Sequence, residues 1–320
     1  MNPRPLGATG LSVSAIGFGT WGLGGTAGGS VAYGPTDDSV SRAALDAALE
    51  LGITFYDCSD LYGFGHSERI VGAAFAGRRE CVVLGSKGGF VDAERQDFSP
   101  THLHEALENS LARLGTDHVD LYQLHSPPVA LLAEQPGILE FLREAQADGR
   151  IRAWGFSARS PEEAKIAVET FGVPCVQVNF NLTDQRALQQ GLFEVCARSG
   201  CGVIIRTPLC FGFLTGQYEA GFDPMDHRSR WSPEQVACWR QANDAFRFLF
   251  EENPGQTPAQ IALRFCLSFP SVSTVIPGML EPGQVRENAA AMELGPLAPD
   301  QIERARKVGT ETKFFVRRRA

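Results

Sequence analysis

The sequence predicts an α/β fold, a single (β/α)8 TIM barrel over residues 1–320, with an N-terminal β-hairpin and extra helices after the seventh strand and at the C-terminus. Eight β-branched and aromatic runs alternate with stretches of helical periodicity, as in parallel sheets with right-handed crossovers. No Pro/Gly/Ser-rich linker divides the chain. The glycines after the first run lack the G-x-G-x-x-G spacing of a doubly wound dinucleotide-binding sheet, which disfavours that alternative.

The first half of the chain supplies the hairpin and four strand–helix units. Residues 4–14 place a glycine-containing turn between two short extended pieces, which predicts the hairpin. Strands are predicted at residues 15–20, 53–56, 81–87 and 119–125. Helices are predicted from caps and apolar periodicity at residues 37–51, 67–77, 100–114 and 137–147. The glycine-rich residues 21–35 are interpreted as a mobile loop over a site or a flexible surface connection.

The second half continues the alternation and then departs from it. Further strands are predicted at residues 151–157, 175–179, 202–207 and 272–277. One helix opens at Ser160 and Pro161, where a cap precedes a first-turn proline, and another covers about residues 188–198. Additional helices are predicted at residues 233–251, 258–267, 282–292 and 299–308. Eight units of this kind favour closure of the sheet into a barrel.

Composition and charge limit the kinds of binding partner and the cellular compartment that we expect for this protein. The formal net charge of -8 argues against nucleic acid, because phosphate binding requires a basic surface. No apolar run is long enough for a membrane span or a signal peptide, so we expect a cytoplasmic protein without a membrane partner, as a monomer or small homo-oligomer. The eight cysteines include no C-x-x-C pair, which predicts reduced thiols and no metal site.

Four chemically active side chains are predicted to meet at one end of the barrel. Asp57 and Tyr62 follow the second strand, while Lys87 and His125 end the third and fourth. The carboxyl ends of parallel strands share one face, where such barrels carry out their chemistry. Each residue has a structural alternative: a loop-closing carboxylate, a packing tyrosine, a surface lysine or a buried core histidine. Their common location favours a catalytic site.

Two polar residues near this group are interpreted as structural. Asp60 is interpreted as a loop residue, since nothing in the pattern gives it a chemical partner. His66, beside Ser67, is interpreted as a loop or cap residue rather than a metal ligand, because no second ligand lies at zinc spacing.

Six sequence strings, in this order and at these spacings, resemble those of the aldo-keto reductase family. They are LGATGLSVSAIGFGTW, FYDCSDLYG followed by HSE, DLYQLH, WGFSA, PLCFGFLTG and VIPGMLEPGQVREN. One such string alone is a weak signal, but the set is specific and spans nearly the whole chain. The resemblance implies an oxidoreductase that uses NADP or NAD to interconvert a carbonyl and an alcohol, with the cofactor extended across the barrel mouth.

The resemblance also assigns residues to roles. The family's catalytic tetrad falls on Asp57, Tyr62, Lys87 and His125, all matching in type. The implied cofactor contacts lie after the first strand, at the ends of the fifth and sixth, in the loop after the seventh and near the end of the chain. They are Gly19, Thr20, Trp21, Asp57, Ser157, Gln177, Arg206, Pro208, Leu209, Gly212, Leu214, Gly216, Gly278, Gln284 and Asn288.

The chemistry explains why a tetrad of these types is needed. Hydride transfer to a carbonyl builds negative charge on oxygen, so a proton donor and a cation must lie near that oxygen. A free tyrosine has a pKa of about 10 and is a reluctant acid, but a neighbouring ammonium lowers that pKa. We therefore expect Tyr62 to act as general acid/base, Lys87 to modulate it, Asp57 to hold the lysine, and His125 to orient the substrate carbonyl.

Two departures from the family pattern affect the predicted nicotinamide site. Ser157 and Gln177 can bind the carboxamide, or can simply be interior polar groups of the barrel. The nicotinamide commonly stacks on a tyrosine in this family, and here Arg206 takes that position. A planar guanidinium can also stack on an aromatic ring. Ala158 stands where many relatives have asparagine, so one carboxamide contact is missing from the pattern.

A third departure concerns the adenosine 2′-phosphate. Where relatives carry lysine or arginine, residues 278–280 read GML, Gln284 follows, and Gln217 replaces a frequent lysine. A 2′-phosphate is best held by arginine or lysine. We therefore hypothesise that NAD is accepted as well as or better than NADP, although Arg228 or Arg230 can restore phosphate binding.

Several functions remain open at this point. The first is a carbonyl reductase, the second an NAD-preferring dehydrogenase of a sugar or polyol, and the third a non-catalytic, cofactor-binding regulatory subunit. The complete tetrad disfavours the third. Residues 312–320 are predicted to be a solvated basic end, with packing of Phe314 and Phe315 over the pocket as the alternative.

Overall fold

The computed structural model describes residues 3–29, 32–216 and 221–316. The chain opens with an antiparallel hairpin of strands β1 (Arg4–Pro5) and β2 (Ser12–Val13), as the sequence predicts. Between them, Gly7 has a positive φ of 56°, and a Cβ there would lie 2.2 Å from the backbone nitrogen of Gly202. Only glycine therefore lets the hairpin seat this closely against the barrel.

Eight parallel strands form the barrel, and each pairs with the next along the chain. They are β3 (Phe18–Gly19), β4 (Phe55–Asp57), β5 (Val83–Gly88), β6 (Val119–His125), β7 (Ile151–Ser157), β8 (Cys175–Asn179), β9 (Gly202–Arg206) and β10 (Thr274–Ile276). Parallel bridges from Ile16 to Val275 and from Gly19 to Gly278 join the two edges of the sheet. The predicted (β/α)8 barrel with its N-terminal hairpin is confirmed.

The helices surround the sheet and follow the caps that the sequence predicts. In the described residues they are α1 (Asp38–Glu50), α2 (His66–Phe75), α3 (Pro100–Leu114), α4 (Leu131–Glu134), α5 (Gly137–Ala147), α6 (Pro161–Phe171), α7 (Arg186–Gln189), α8 (Leu192–Ser199), α9 (Pro233–Arg240), α10 (Ala242–Ala245), α11 (Arg247–Glu251), α12 (Pro258–Leu267), α13 (Pro282–Ala290) and α14 (Pro299–Glu311). Side chains of Asp37, Ser99 and Ser160 accept hydrogen bonds from first-turn backbone N–H groups and so fix the starts of α1, α3 and α6.

Two predicted helices are divided in the structure. The stretch 233–251 forms three short helices, and one break lies at Phe246, whose φ of -104° and ψ of 14° are not helical. Its fully buried ring stacks on Phe314, so side-chain packing overrides the helical periodicity there. The stretch 188–198 is interrupted by Gly191, which has a positive φ of 73° between α7 and α8.

The prediction of a solvated C-terminal end is wrong for Phe314. This ring is 2% exposed and packs on Phe246, whereas Phe315 is 38% exposed. Neither ring lines the cavity at the barrel mouth. Residues 317–320 of the predicted tail, like Gln217, lie outside the described residues.

Two apolar clusters hold the fold together. The larger lies between the sheet and the surrounding helices. The smaller fills the amino end of the barrel, where hairpin residues meet inward-facing strand residues; its members are Leu6, Leu11, Val13, Phe55, Leu121, Ala153, Cys175, Ile204 and Ile276. All eight cysteines are free, and six of them are buried. No helix in the described ranges combines the length and apolarity needed to cross a membrane.

Strand alternation divides the interior of the barrel into two ends. Successive residues of a strand face opposite sides of the sheet, so every second residue faces inward. Along β6, Leu121 belongs to the apolar cluster at the amino end, whereas Gln123 and His125 follow at two-residue intervals. The same strands therefore supply an apolar amino end and a polar carboxyl end.

Candidate active site

A cavity of about 630 Å³ lies at the carboxyl ends of the barrel strands. This volume is within the usual range for sites that bind small molecules or cofactors. Asp57, Tyr62 and His125 lie on its wall at one end, and residues from the loop after β9 and from α13 line the rest. The cavity thus extends from the predicted tetrad to the predicted adenosine site.

An ion pair between Asp57 and Lys87 forms the floor of this end. Lys87 Nζ donates to Asp57 Oδ2 over 2.6 Å and to the carbonyl oxygen of Cys58 over 2.7 Å. Lys87 is fully buried and Asp57 is 1% exposed. Burial lowers the pKa of Lys87, but the carboxylate of Asp57 and the phenol of Tyr62 outweigh it, so the pKa is raised overall. The ammonium is therefore charged at neutral pH.

Two glutamine side chains hold the other oxygen of Asp57. Gln177 Nε2 donates to Asp57 Oδ1 over 2.9 Å, and Gln123 Nε2 donates to the same atom over 3.1 Å. Gln177 Nε2 also lies 3.3 Å from Gln123 Oε1. With both oxygens engaged, the carboxylate is fixed in place and presents one oxygen to Lys87.

Tyr62 stands next to the buried ammonium. Lys87 Nζ lies 4.8 Å from the centre of the Tyr62 ring, and the tyrosine is half-buried at the cavity wall. Burial raises the pKa of Tyr62 above its ordinary value, while the Lys87 ammonium opposes that rise. The sequence predicts a net lowering of this pKa, but desolvation dominates in the folded chain. Tyr62 therefore keeps its proton at neutral pH.

The loop that carries Tyr62 depends on close backbone contact. Gly63 has a positive φ of 58°, and a Cβ there would lie 2.5 Å from the carbonyl oxygen of Gly24. A Cβ at Gly24, in the loop after β3, would lie 2.6 Å from the backbone nitrogen of Gly63 and 2.8 Å from the carbonyl carbon of Tyr62. The glycines of the two loops thus allow the first loop to pack directly beside the tyrosine.

His125 completes the group of four. Its ring centre lies 5.9 Å from that of Tyr62 in an edge-on arrangement, and its Nδ1 is 2.9 Å from Ser59 Oγ. Burial, followed by the charges of Lys87 and Arg206, lowers the pKa of His125 well below its ordinary value. The imidazole is therefore neutral, with one nitrogen protonated and the other free to accept a hydrogen bond. The structure brings all four residues of the predicted tetrad together.

Most of the residues predicted to contact a cofactor line this cavity. They are Gly19, Trp21, Asp57, Gln177, Arg206, Pro208, Leu209, Gly212, Gly278, Gln284 and Asn288. Four do not line it: Thr20, Ser157 and Leu214 are fully buried, and Gly216 is an exposed residue after the turn at 210–215. The Thr20 hydroxyl instead bonds to the carbonyl of Asp57 and to Ser67, so its position supports the loop.

Two polar atoms beside the tetrad have no hydrogen-bond partner within the described part of the chain. The Ser157 hydroxyl, at the end of β7, is buried without a partner, and so is Nε of Arg206, at the end of β9. Arg206 Nη2 donates to the carbonyl of Ala158 over 3.0 Å, and burial lowers the pKa of the guanidinium. Of these two residues only Arg206 lines the cavity, so its Nε is the donor that lies closest to a ligand bound there.

The far end of the cavity is acidic. Glu281 and Glu287 line it, and the Gln284 side chain is already engaged, because its Oε1 accepts a hydrogen bond from the backbone of Leu280 over 2.8 Å. Arg228 also lines the cavity, but its guanidinium forms a two-pronged pair with Asp226, with Nη2–Oδ2 at 2.5 Å. That pairing neutralises Arg228, the arginine that the described part of the segment between β9 and α9 brings to the cavity lining.

Arg230, the other arginine predicted to reach a phosphate, is exposed and does not line the cavity. The roof near Arg228 is aromatic: Trp21, Tyr33 and His227 contact one another with ring centres 4.5–5.2 Å apart. His227 Nδ1 also donates a hydrogen bond to the carbonyl oxygen of Ala32 over 2.8 Å. The glycine-rich loop is thus packed against the segment between β9 and α9, and Tyr33 and Asp226 form an antiparallel bridge there.

Sequence reasoning did not identify two residues that contact the tetrad, Gln123 and Ser59. Gln123 lies two positions before His125 on β6, so strand alternation places both on the inner face and could have identified it. Ser59 and Asp60 lie in a loop, where no periodicity indicates the direction of a side chain. Among the residues that the structure describes, no three His, Cys, Asp or Glu side chains form a group that could hold a metal ion.

Comparison with known proteins places this site in a family context. The model of the aldo/keto reductase family matches residues 15–310. Aldo-keto reductase YhdN of Bacillus subtilis is 31% identical over 295 residues, which cover 89% of this chain and 87% of that protein. Aldo-keto reductase yakc of Schizosaccharomyces pombe, whose name specifies NADP(+), is 31% identical over 298 residues, or 88% of this chain and 85% of that protein.

A solved structure agrees over almost the whole fold. The glycerol dehydrogenase AKR11B4 from Gluconobacter oxydans superposes with a TM-score of 0.80 at 26% identity, covering 98% of this chain and 97% of the other. The residues that the family model matches include every residue that lines the cavity. The chain belongs to the aldo/keto reductase family of oxidoreductases.

Proposed function

We propose that this chain, acting as one domain, interconverts an aldehyde or ketone and an alcohol by hydride transfer with a nicotinamide dinucleotide. The observation that carries the proposal is the buried Lys87, held by Asp57 and set against Tyr62 at one end of a cavity of about 630 Å³. A charge-supported phenol in a cavity wall is the group needed to protonate the oxygen that receives negative charge.

The residues at the tetrad fit a nicotinamide group. The side chain of Gln177 lines the cavity and suits a carboxamide, and the unpartnered Ser157 hydroxyl lies behind the lining, next to Gln177 in the register of β7 and β8. Arg206, whose Nε has no partner in the described chain, offers a flat face and a donor beside them. The bound cofactor would supply the hydride in reduction and accept it in oxidation.

Each residue of the tetrad then has a defined role. Tyr62 donates a proton from its hydroxyl to the carbonyl oxygen during reduction and takes it back during oxidation. Lys87 stabilises the resulting phenolate through its positive charge, and Asp57 keeps the ammonium charged and oriented. His125, neutral and at the cavity wall, hydrogen-bonds the substrate oxygen and so orients the carbonyl.

We also propose that NAD serves as well as or better than NADP. Two carboxylates, Glu281 and Glu287, line the adenosine end, where a 2′-phosphate would be repelled. Arg228 is paired with Asp226, and Arg230 stands outside the cavity. The name of the yeast relative points instead to NADP, so the two cofactors must be compared directly.

The activity is tested by a screen of aldehydes, ketones, sugars and sugar alcohols with both cofactors. We expect turnover in both directions and a kcat/KM for NAD(H) that equals or exceeds that for NADP(H). A strong preference for NADP(H) would overturn the cofactor proposal. Gln284→Arg should shift preference toward NADP(H), whereas Gln146→Arg, which adds the same charge on α5, should not.

A second candidate, an NAD-preferring sugar or polyol dehydrogenase, is favoured by the structural likeness to a glycerol dehydrogenase. It predicts that polyols or free sugars are oxidised more efficiently than any simple carbonyl is reduced. Tight cofactor binding without turnover of any compound would instead support a regulatory subunit and would exclude both enzymatic functions.

A further inference from the structure

A buried hydroxyl links His125 to a carboxyl group behind it. Ser59 Oγ lies 2.9 Å from His125 Nδ1 and 3.0 Å from Asp60 Oδ1. Ser59 is fully buried, and His125 is 7% exposed. The backbone N–H of Leu61 donates to the same hydroxyl oxygen over 3.2 Å. The carbonyl of Lys87, at 3.5 Å, is too distant to compete for the hydroxyl hydrogen.

The hydrogen count of Ser59 restricts this chain to two arrangements. A hydroxyl has one hydrogen to donate and two lone pairs, and the Leu61 N–H occupies one lone pair. Ser59 therefore donates to one of His125 and Asp60 and accepts from the other. If it donates to an ionised Asp60, His125 must carry its hydrogen on Nδ1. If it donates to His125 Nδ1, Asp60 must be protonated and donate to Ser59.

These arrangements present the same ring nitrogen to the cavity in different protonation states. His125 lines the cavity, and Ser59 engages Nδ1, so Nε2 is the nitrogen left for a ligand. In the first arrangement Nε2 carries a lone pair, which suits a hydroxyl group. In the second it carries the hydrogen and can donate to a carbonyl oxygen. The neutral charge of the imidazole is the same in both.

We propose that Ser59 and Asp60 are positioning residues that set the tautomer of His125, so that protonation of Asp60 makes Nε2 a donor to a substrate carbonyl. The inference rests on the proposed function, because it concerns how the substrate oxygen is held. Conversion between the two arrangements takes up one proton at Asp60 and moves the imidazole hydrogen from Nδ1 to Nε2 by exchange with the cavity. No bond to carbon changes.

The surroundings of Asp60 place its titration in the neutral range. Burial, together with the negative charge of Glu68 on α2, raises the pKa of Asp60 to about 7, against opposing contributions from Ser59, Arg113 on α3 and the backbone of Leu61. Glu68 is itself paired with Arg113 over 2.6 Å. Burial, followed by the charge of Asp60, raises the pKa of Tyr122 on β6, so the Tyr122 phenol also faces Asp60. The charges that face His125 itself are Lys87 and Arg206.

The kinetic test is the pH profile of carbonyl reduction. For the wild type, the reductive kcat/KM should fall between about pH 6 and about pH 8, approaching tenfold per pH unit beyond the pKa, with KM rising more than kcat falls. Asp60→Asn cannot titrate, so its profile should be flat to within about twofold over this range. A falling profile in Asp60→Asn would show that another group titrates and would overturn the proposal.

Variants at Ser59 separate the hydrogen-bonded relay from a simple effect of charge. Ser59→Ala leaves Asp60 able to ionise but removes the link, so the fall with pH should vanish. Ser59→Thr keeps the hydroxyl, so the fall of kcat/KM with pH should remain in this variant. If Ser59→Ala keeps the fall, Asp60 acts through space and the relay is wrong. Asp117→Asn is the matched control, because Asp117 bonds Nδ1 of His118 over 2.7 Å at an exposed site, and its profile should match the wild type.

A direct readout does not depend on turnover. In protein with ¹⁵N-labelled histidine and bound NADH, ring-nitrogen spectra assign the tautomer, and His125→Asn identifies the signal of His125. We expect the hydrogen to move from Nε2 to Nδ1 as pH rises through about 7 in the wild type, and no such change in Ser59→Ala or Asp60→Asn. A tautomer that is constant with pH in the wild type would overturn the inference. Failure to turn over any carbonyl, with the tautomer change present, would count against the proposed function alone.

Discussion

The two ends of the barrel interior are built by the same strands and yet have opposite chemistry. At the amino end, Phe55 and Leu121 belong to an apolar cluster that the N-terminal hairpin closes. At the carboxyl end, Asp57 lies two residues after Phe55, and His125 lies four residues after Leu121, so the strand period carries each strand from the apolar to the polar end. The difference shows that stability and chemistry are separated along each strand rather than between strands.

The energetic consequences of the two ends differ as well. Burying apolar side chains at the amino end stabilises the fold roughly in proportion to the area removed from water. Burying Lys87 and Asp57 at the carboxyl end removes two charges from water, and a buried pair of this kind contributes little net stability compared with an apolar pair of similar volume. The polar end is therefore better explained by the reaction that we propose for it than by a contribution to stability.

Among substitutions at the two ends of the barrel, we expect the largest loss of activity at Tyr62. Tyr62→Phe removes the hydroxyl that we propose as the proton donor, so kcat for carbonyl reduction should fall by about 10² to 10⁴-fold while the fold is retained. Steady-state kinetics and thermal unfolding measure the two quantities. Tyr122→Phe is the control, because the Tyr122 hydroxyl is fully buried with no hydrogen-bond partner in the described chain, and its loss should leave activity unchanged.

Lys87→Met should affect both activity and stability. It leaves the carboxylate of Asp57 buried without its cation, which should destabilise the protein by about 3–5 kcal/mol in urea unfolding and abolish most activity. Lys307→Met is the matched control, because Lys307 is exposed and its nearest carboxylate, on Glu311, is 3.9 Å away. Unchanged stability in Lys87→Met would contradict the description of this pair as a buried ion pair.

Leu121→Ala tests the apolar end of the same strand. The cavity that it creates should reduce the free energy of unfolding by about 2–5 kcal/mol, with kcat per folded molecule unchanged, because Leu121 lies in the apolar cluster and does not line the catalytic cavity. Leu294→Ala, at an exposed position, provides the control. A large loss of kcat in the folded variant would show that the two ends are not separable.

The smallest effect concerns alkaline pH. The pKa of Lys87 is raised in the folded state, despite the opposing effect of burial, because Asp57 and Tyr62 favour its charged form. A raised pKa stabilises the folded state at pH values below the pKa of the unfolded state. This stabilisation is lost as pH rises through the pKa of the folded state. Urea midpoints should therefore decline above about pH 10, and this part of the decline should be absent in Lys87→Met. Equal declines in the wild type and in Lys87→Met would contradict a raised pKa of Lys87 in the folded state.

The fold was largely predictable because its strands carry strong local signals. The predicted bounds of β6, β7 and β8 agree with the structure, since these β-branched and aromatic runs are long and buried. The first and last barrel strands are shorter than predicted, because glycine and proline flank them. The helix predicted at 233–251 divides where burial of Phe246 overrides helical periodicity, and tertiary packing of this kind leaves no local signal.

The site was predictable in part for a similar reason. Asp57, Lys87 and His125 lie in strands or at their ends, so barrel topology alone brings them together. Ser59 and Asp60 lie in a loop, and only the folded backbone determines that one hydroxyl reaches both His125 and the carboxyl group. The direction in which the pKa of Tyr62 shifts could also not be predicted from the sequence, because the extent of its burial follows from the packing of two loops.

The function that we propose for the polar end of the barrel is hydride transfer with Tyr62 as the acid. The most direct measurement is reduction of a carbonyl substrate with NADH that carries deuterium at the transferable position of C4, comparing wild type with Tyr62→Phe at equal cofactor saturation. The account predicts deuterium on the carbinol carbon of the product for the wild type and a rate lower by about 10² to 10⁴-fold for the variant. Deuterium absent from that carbon, or equal rates in the two proteins, would contradict it.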